Sequence, residues 1–152
     1  MGGVMLILSS VRMHRAVTRR AVDEAKDSGK DLVILSVLDR AIPTKVAEQF
    51  AESGQIGSRP SEGFLDSLYA RHEQLALEQA EDVVTEARRQ GIGAVSDIRR
   101  GDYAAETAAA ITEQRPEVVV IEKRKRSLLR FATEDPFIDE LRTDVGFALI
   151  EA

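Results

Sequence analysis

Residues 117–136 read EVVVIEKRKRSLLRFATEDP, and the way this stretch divides decides the fold. Its front, EVVVIE at 117–122, is a short run of β-branched residues of the kind a strand shows when both of its faces are covered. Pro116 stands just before it and disfavours helical geometry at Arg115, so any preceding helix ends there and the strand begins. Behind the strand come four consecutive cations, Lys123 to Arg126, and no glycine as far as Pro136. A parallel strand that feeds a phosphate site is ordinarily followed by a glycine-rich turn, because only glycine lets main-chain N–H groups approach the anion so closely. The stretch therefore predicts a buried parallel strand whose following turn lacks the usual phosphate cradle.

Upstream, YAAETAAAITEQ at 103–114 reads as a helix with Asp102 as its N-cap and with Ala104, Ala108 and Ile111 forming a small-residue face that can lie close on a sheet. GAVSDIRRGD at 93–102 is a weaker, alternating strand with Val95 and Ile98 as its apolar members, and Arg99 and Arg100 extend a basic rim at its end. Before it a long amphipathic helix over 64–90 carries Leu65, Leu68, His72, Ala76, Val83 and Ala87 along one stripe and stops at Gly91. TKVAEQFAES at 44–53 predicts a short helix, and GQIGSRPSEG at 54–63 a surface connection; its two glycines lack the Gly-Lys-Ser/Thr ending that a phosphate loop needs. DLVILSVLD at 31–39 and VMLILS at 4–9 repeat the buried-strand pattern. The helix between them, within residues 12–29, places Met13, Val17, Ala21 and Ala25 at four-residue spacing and has Gly29 as its C-terminal cap. Downstream, a last short helix starts near Thr133 to Pro136, and VGFALIEA at 145–152 closes the chain as a fifth strand. Alternating strands and helices with short links imply a doubly wound α/β domain over residues 1–152, with a mostly parallel sheet and right-handed crossovers.

A chain of 152 residues with a net charge of -5 has one domain's worth of core and no general attraction to nucleic acid or to an anionic membrane. The absence of cysteine removes disulfides, thiolate metal sites and a cysteine nucleophile, and two histidines are too few for a histidine-rich metal site. The apolar run at Val4 to Leu8 is too short for a signal peptide or a membrane span, so the expected location is the cytoplasm. His14 follows the carboxyl end of the first strand, from which a side chain reaches a ligand crevice; His72, on the apolar stripe of the long helix, is expected at the core boundary. No acid, base and nucleophile converge in the pattern. A receiver-type magnesium site needs clustered acids at the end of strand one, where this chain has Ser9 and Ser10. Phe131 alone offers an aromatic platform among the cations, which argues against single-stranded nucleic acid as a partner.

The order and spacing of VMLILSS, RAVTRRAVDEAKDSGKDLVILSVLD, RRGDYAAETAAAITEQRPEVVVIE and the closing strand together resemble the universal stress protein family, from Val4 to Glu151. The resemblance implies a five-stranded parallel sheet of order 3-2-1-4-5, similar to the adenine nucleotide alpha hydrolases, with a ligand crevice where strands one and four part company. Nucleotide-binding members carry a loop of Gly, two residues, Gly, nine residues, then Gly and Ser or Thr; here those positions are Glu122, Lys125, Asp135 and Pro136. The family's acid at the end of strand one falls at Ser10, and the position near Val37 keeps the expected apolar kind. The crevice candidates are thus Ser10, His14, Val37, Glu122, Lys125, Arg126 and Asp135, with no catalytic residue and no metal ligand.

Glu122 brings negative charge where phosphates would sit, and Asp135 beside Pro136 is placed to cap the last helix with the chain's own carboxylate. The resemblance therefore implies a non-enzymatic, dimeric stress-response or signalling module without a nucleotide cofactor. It pairs as a homodimer through Val145 to Glu151 and meets a protein partner through the basic turn Lys123 to Arg126. The alternative is an ATP- or AMP-binding sensor in which the cations grip phosphate in place of the glycines.

Overall fold

β1, Val4–Leu8, is buried along its whole length and lies between β2, Leu32–Leu38, and β4, Val118–Ile121. The computed structural model describes residues 2–8, 15–41, 62–122 and 146–152. Around these strands stand α1 (Arg15–Ser28), α2 (Glu62–Arg89), β3 (Ala94–Arg100), α3 (Tyr103–Gln114) and β5 (Ala148–Glu151). All pairings are parallel, and the order across the sheet is β3-β2-β1-β4-β5, the order 3-2-1-4-5 expected from the sequence. Register sets Val4 against both Leu32 and Val118, so the three central strands start level.

Strand alternation splits the core in two. Val4, Leu6 and Leu8 point to the face covered by α1 and α2, where they meet Val17, Ala21, Val22 and Ala25 of α1 and Ala80, Val83 and Ala87 of α2. Met5 and Ile7 point to the other face and pack with Leu35, Val37, Val119, Ile121 and the α3 residues Tyr103 and Ala110. Because both faces are covered, β1 and β4 are apolar at every position and β2 at every position but the buried Ser36, hence their near-continuous apolar runs.

The helix ends follow local chemistry. Gly29 sits in the left-handed region at φ 66 and closes α1, Gly91 does so for α2 at φ 81, and Asp102 caps α3 by accepting from the Ala105 N–H at 2.9 Å. At the other end of α3, Arg115 adopts a left-handed conformation and Pro116 follows, the stop read from the sequence.

Val95 and Ile98, three residues apart on β3, face opposite ways, so Ile98 packs inward while Val95 is 55% exposed on an edge strand. Two sequence expectations are corrected. The fully buried residues of α3 are Tyr103, Thr107 and Ala110; of the anticipated face, Ala104 and Ile111 pack at the edge of the core as expected, while Ala108 is exposed. The stripe on α2 is buried only in its carboxyl half, at Ala80, Val83 and Ala87, and the helix begins at Glu62, inside the segment expected to be loop. The short helix expected at 44–53, the last helix near 133–136 and the strand residue Val145 lie outside the described residues. Among the described residues no helix is long and apolar enough to cross a membrane.

Candidate functional site

In an open parallel sheet, ligands gather outside the carboxyl ends of the strands where the order reverses. Here that point lies between β1, ending at Leu8, and β4, ending at Ile121. Of the crevice candidates, Val37 and Glu122 are described; Ser10, His14, Lys125, Arg126 and Asp135 lie outside the described residues. Val37 is only 5% exposed and packs in the α3-side core, so it serves as wall rather than as a ligand-facing contact. Glu122 follows β4 directly and is half-buried, which puts a carboxylate at the rim of the crevice.

Beside this crevice, at the carboxyl ends of β2 and β3, lies a cavity of about 420 Å³. Register brings Leu38 opposite Arg100, and the Gly101 N–H donates to the Leu38 carbonyl at 3.2 Å, so the two strand ends leave the sheet together. Asp39 then turns back: Oδ1 accepts from the Ala41 N–H and Oδ2 from the Tyr103 N–H, each at 2.9 Å. With Asp102 on Ala105, two carboxylates close the amino end of α3, where exposed N–H groups and the helix dipole favour negative charge. This self-capping is the device that the sequence assigned to Asp135 at a different helix.

The outer wall of the cavity comes from α2, whose Tyr69, His72 and Glu73 share a face at helical spacing. The Arg40 guanidinium lies 4.9 Å from the centre of the Tyr69 ring, and Arg100 forms an ion pair with Glu73. Burial holds the His72 imidazole below its ordinary pKa of 6.5, and the nearby charge of Asp39 opposes that shift.

The basic rim expected at Arg99 and Arg100 is not an array of unpaired cations. Arg99 is held by Asp97 at 3.0 Å and Glu113 at 2.6 Å, and Gln114 donates to the same Asp97 carboxylate at 2.6 Å. These bonds push Arg99 further into its charged form and Glu113 below the usual carboxylate range. Edge-strand cations thus have acids from α3 and α2 beside them.

Two other cavities lie away from this crevice. One of about 770 Å³ lies at the amino ends of the strands, with Gly3, Asp31 and Gly93 on its rim. Its backbone groups are already paired: Val4 donates to Asp31 at 2.9 Å, Leu32 to Gly93 at 2.8 Å, and Glu117 to Gly3 at 2.9 Å. The other, of about 480 Å³, runs between α1 and α2 with Arg19 and Asp23 facing Asp82 and Glu86. Among the described residues no group of three or more His, Asp or Glu is placed to hold a metal ion.

His72 was expected at the core boundary and is found half-buried there, but its surroundings were not anticipated. Asp39 carried a local signal, a carboxylate at the end of a buried strand, where capping of a neighbouring helix is a natural use. Tyr69, Glu73 and Arg40 carried none, because their meeting depends on how α2 crosses the sheet.

The sequence model of the universal stress protein family matches residues 8–133. No curated protein matches the sequence. Among solved structures, a universal stress protein family member from Burkholderia pseudomallei is similar over 99% of this chain and 95% of its own, with 14% identity and a TM-score of 0.64. The universal stress protein from Archaeoglobus fulgidus in complex with dAMP is 15% identical, covering 99% of this chain and 96% of its own, with a TM-score of 0.59. An Arabidopsis thaliana family member with AMP bound is 13% identical, covering 99% and 90%, with a TM-score of 0.58. At such identities these structures establish the fold alone.

Proposed function

The chain belongs to the universal stress protein family, and from that premise we propose that it is a non-enzymatic, dimeric stress-response or signalling module that has lost nucleotide binding. The observation that carries this reading is Glu122, half-buried directly after β4, at the position where the family's nucleotide loop begins with glycine. A carboxylate at that rim repels phosphate and denies the main chain its close approach. The departures at Lys125, Asp135 and Pro136 add to the same argument from sequence.

The module acts through protein contacts. β5 is the edge of the sheet, pairing with β4 alone among the described residues, and its residues are half-buried to exposed. An apolar edge of this kind is an aggregation hazard until it is covered, and pairing of two copies through Val145 to Glu151 covers it. Light scattering behind a sizing column tests this: a monomer at micromolar concentration counts against the dimer.

A second reading has its own support in the dAMP and AMP bound to the Archaeoglobus and Arabidopsis proteins. In it the chain is an ATP or AMP sensor and basic side chains grip the phosphates. Calorimetry with ATP and AMP, with and without magnesium, separates the two. Absence of heat at micromolar to millimolar nucleotide supports the first reading; micromolar affinity that disappears when Lys125 and Arg126 are neutralised replaces it with the second.

A further inference from the structure

The cavity of about 480 Å³ between α1 and α2 lies within the range of small-molecule sites, roughly 300–1,000 Å³. Arg15, Arg19, Val22 and Asp23 recur at helical spacing on α1, and Asp82, Val83 and Glu86 do so on α2, so one face of each helix borders the same space. Leu8, Val22 and Val83 are buried there, one each from β1, α1 and α2, and give the groove an apolar floor between charged walls.

The fold does not use all of the charges on those walls. Arg20, one residue from Arg19, takes Glu24 at 3.8 Å, and Glu86 is engaged by Arg89 and Gln90 at 2.7 and 2.8 Å. Arg19 and Asp23 have the same four-residue spacing as Arg20 and Glu24, yet they remain apart. Among the described residues, Arg15, Arg19, Asp23 and Asp82 form neither a hydrogen bond nor an ion pair. Two guanidinium groups and two carboxylates therefore border one apolar-floored groove with their hydrogen-bonding capacity intact.

That balance of signs selects the ligand. A simple anion drawn to the arginines also meets Asp23 and Asp82, and a simple cation drawn to the acids meets Arg15 and Arg19, so like charge offsets the attraction in both cases. A molecule carrying both charges satisfies all four groups. On α1 the signs are segregated: Arg19 precedes Asp23 by one turn, about 6 Å along the axis, and Arg15 precedes it by two, about 12 Å. Charges borne on one carbon span less than that spacing, whereas charges at the two ends of a short hydrocarbon chain match it and lay the chain over the valines. We propose that the α1/α2 groove binds a small ω-amino acid, a zwitterion whose carboxylate takes Arg15 and Arg19 and whose ammonium takes Asp23 and Asp82, with its chain over Leu8, Val22 and Val83. This site is distinct from the β1/β4 crevice and does not depend on whether that crevice holds a nucleotide.

The test uses NMR of the full chain with isotope-labelled threonine, because Thr18 also lines the groove; Thr18→Ser identifies its amide signal. The probe is 5-aminovalerate, and the controls are pentanoate, pentylamine and glycine, which lack the ammonium, the carboxylate and the intervening chain in turn. The probe is expected to shift the Thr18 signal saturably with a Kd of about 1 mM or below, and each control to bind at least about tenfold more weakly. Arg19→Gln and Asp82→Asn should each weaken binding about tenfold while moving the melting temperature by no more than about 2 °C, because both side chains are exposed and unpaired among the described residues. No saturable shift with 5-aminovalerate overturns the proposal. Equal affinity for any control does so too, as does unchanged affinity in either variant.

Discussion

At the amino ends of the strands, the Val4 N–H meets the Asp31 carbonyl at 2.9 Å and the Leu32 N–H meets the Gly93 carbonyl at 2.8 Å; at the carboxyl ends, Asp39 reaches Tyr103 and Glu73 reaches Arg100 through their side chains. Backbone bonds dominate the closure of the first end, whereas at the second the backbone bonds from Gly101 to Leu38 and from Ala152 to Ile121 are joined by side chains that carry most of the remaining contacts. The first arrangement needs residues with no bulk: a Cβ on Gly3 would lie 2.7 Å from the Asp31 carbonyl oxygen, and one on Gly93 would lie 2.5 Å from the Asp31 carboxylate. The second is built from long, rotatable groups around an open cavity. An end closed by main chain has no room to change without loss of the sheet, whereas an end closed by side chains can alter its chemistry at little cost to the fold.

The largest expected effect breaks the amino end. Gly3→Ala sets a methyl group against backbone that cannot retreat without stretching the Val4 to Asp31 bond, and it should destabilise the protein by about 2–3 kcal/mol in urea unfolding. Gly93→Ala meets only the end of the Asp31 side chain, which can turn away, so its cost should be about 1 kcal/mol. Equal costs would show that the amino end yields as a whole.

At the carboxyl end, Asp39→Ala removes an acceptor from the Ala41 and Tyr103 N–H groups and should cost about 2 kcal/mol, less than Gly3→Ala. A cost above that of Gly3→Ala would reverse the comparison. Thr107 lies between the two ends on the buried face of α3, and its hydroxyl has no hydrogen-bond partner among the described residues. Thr107→Val keeps the shape and removes the unpaired group, so stability should rise by about 1 kcal/mol in thermal melts converted through the unfolding enthalpy.

The smallest effect is a pH dependence, to which His72 at the carboxyl end contributes. Burial places the folded pKa of His72 below its ordinary 6.5, so the unfolded chain takes up this proton first as the pH falls. Stability from this group is complete above pH 6.5 and declines below it, toward the folded pKa. Glu86, held at about 2 by Arg89 and Gln90, works in a lower window: its contribution is present above its ordinary 4.5 and lost as the pH falls through 2. Melting temperatures between pH 5 and 7 should therefore slope upward with pH in the native protein and flatten in His72→Gln. An unchanged slope in the variant would assign the dependence to another group.

Much of this architecture was legible because the physics that sets it is local. β1, β2 and β4 show as apolar runs, interrupted only by Ser36 in β2, since each is covered on both faces, and Gly29, Gly91, Asp102 and Pro116 punctuate the helices through their own backbone preferences. The exposure of Val95 was not legible, because an apolar residue on an edge strand looks the same in sequence as one in the core. The stripe on α2 misled: its periodicity runs the full helix, but only the half from Ala80 to Ala87 crosses the sheet deeply enough to be buried.

From the order of its residues alone this chain determined its strands, its helix ends and its parallel winding, all of them consequences of neighbours a few positions apart. The tertiary structure alone decided which face of α3 is buried, how Arg99 is neutralised, and that Asp39, His72 and Arg100 surround one cavity. Those outcomes depend on strand register and on the path of α2 over the sheet, which sum many weak contacts between distant segments and leave no pattern in any short window of sequence.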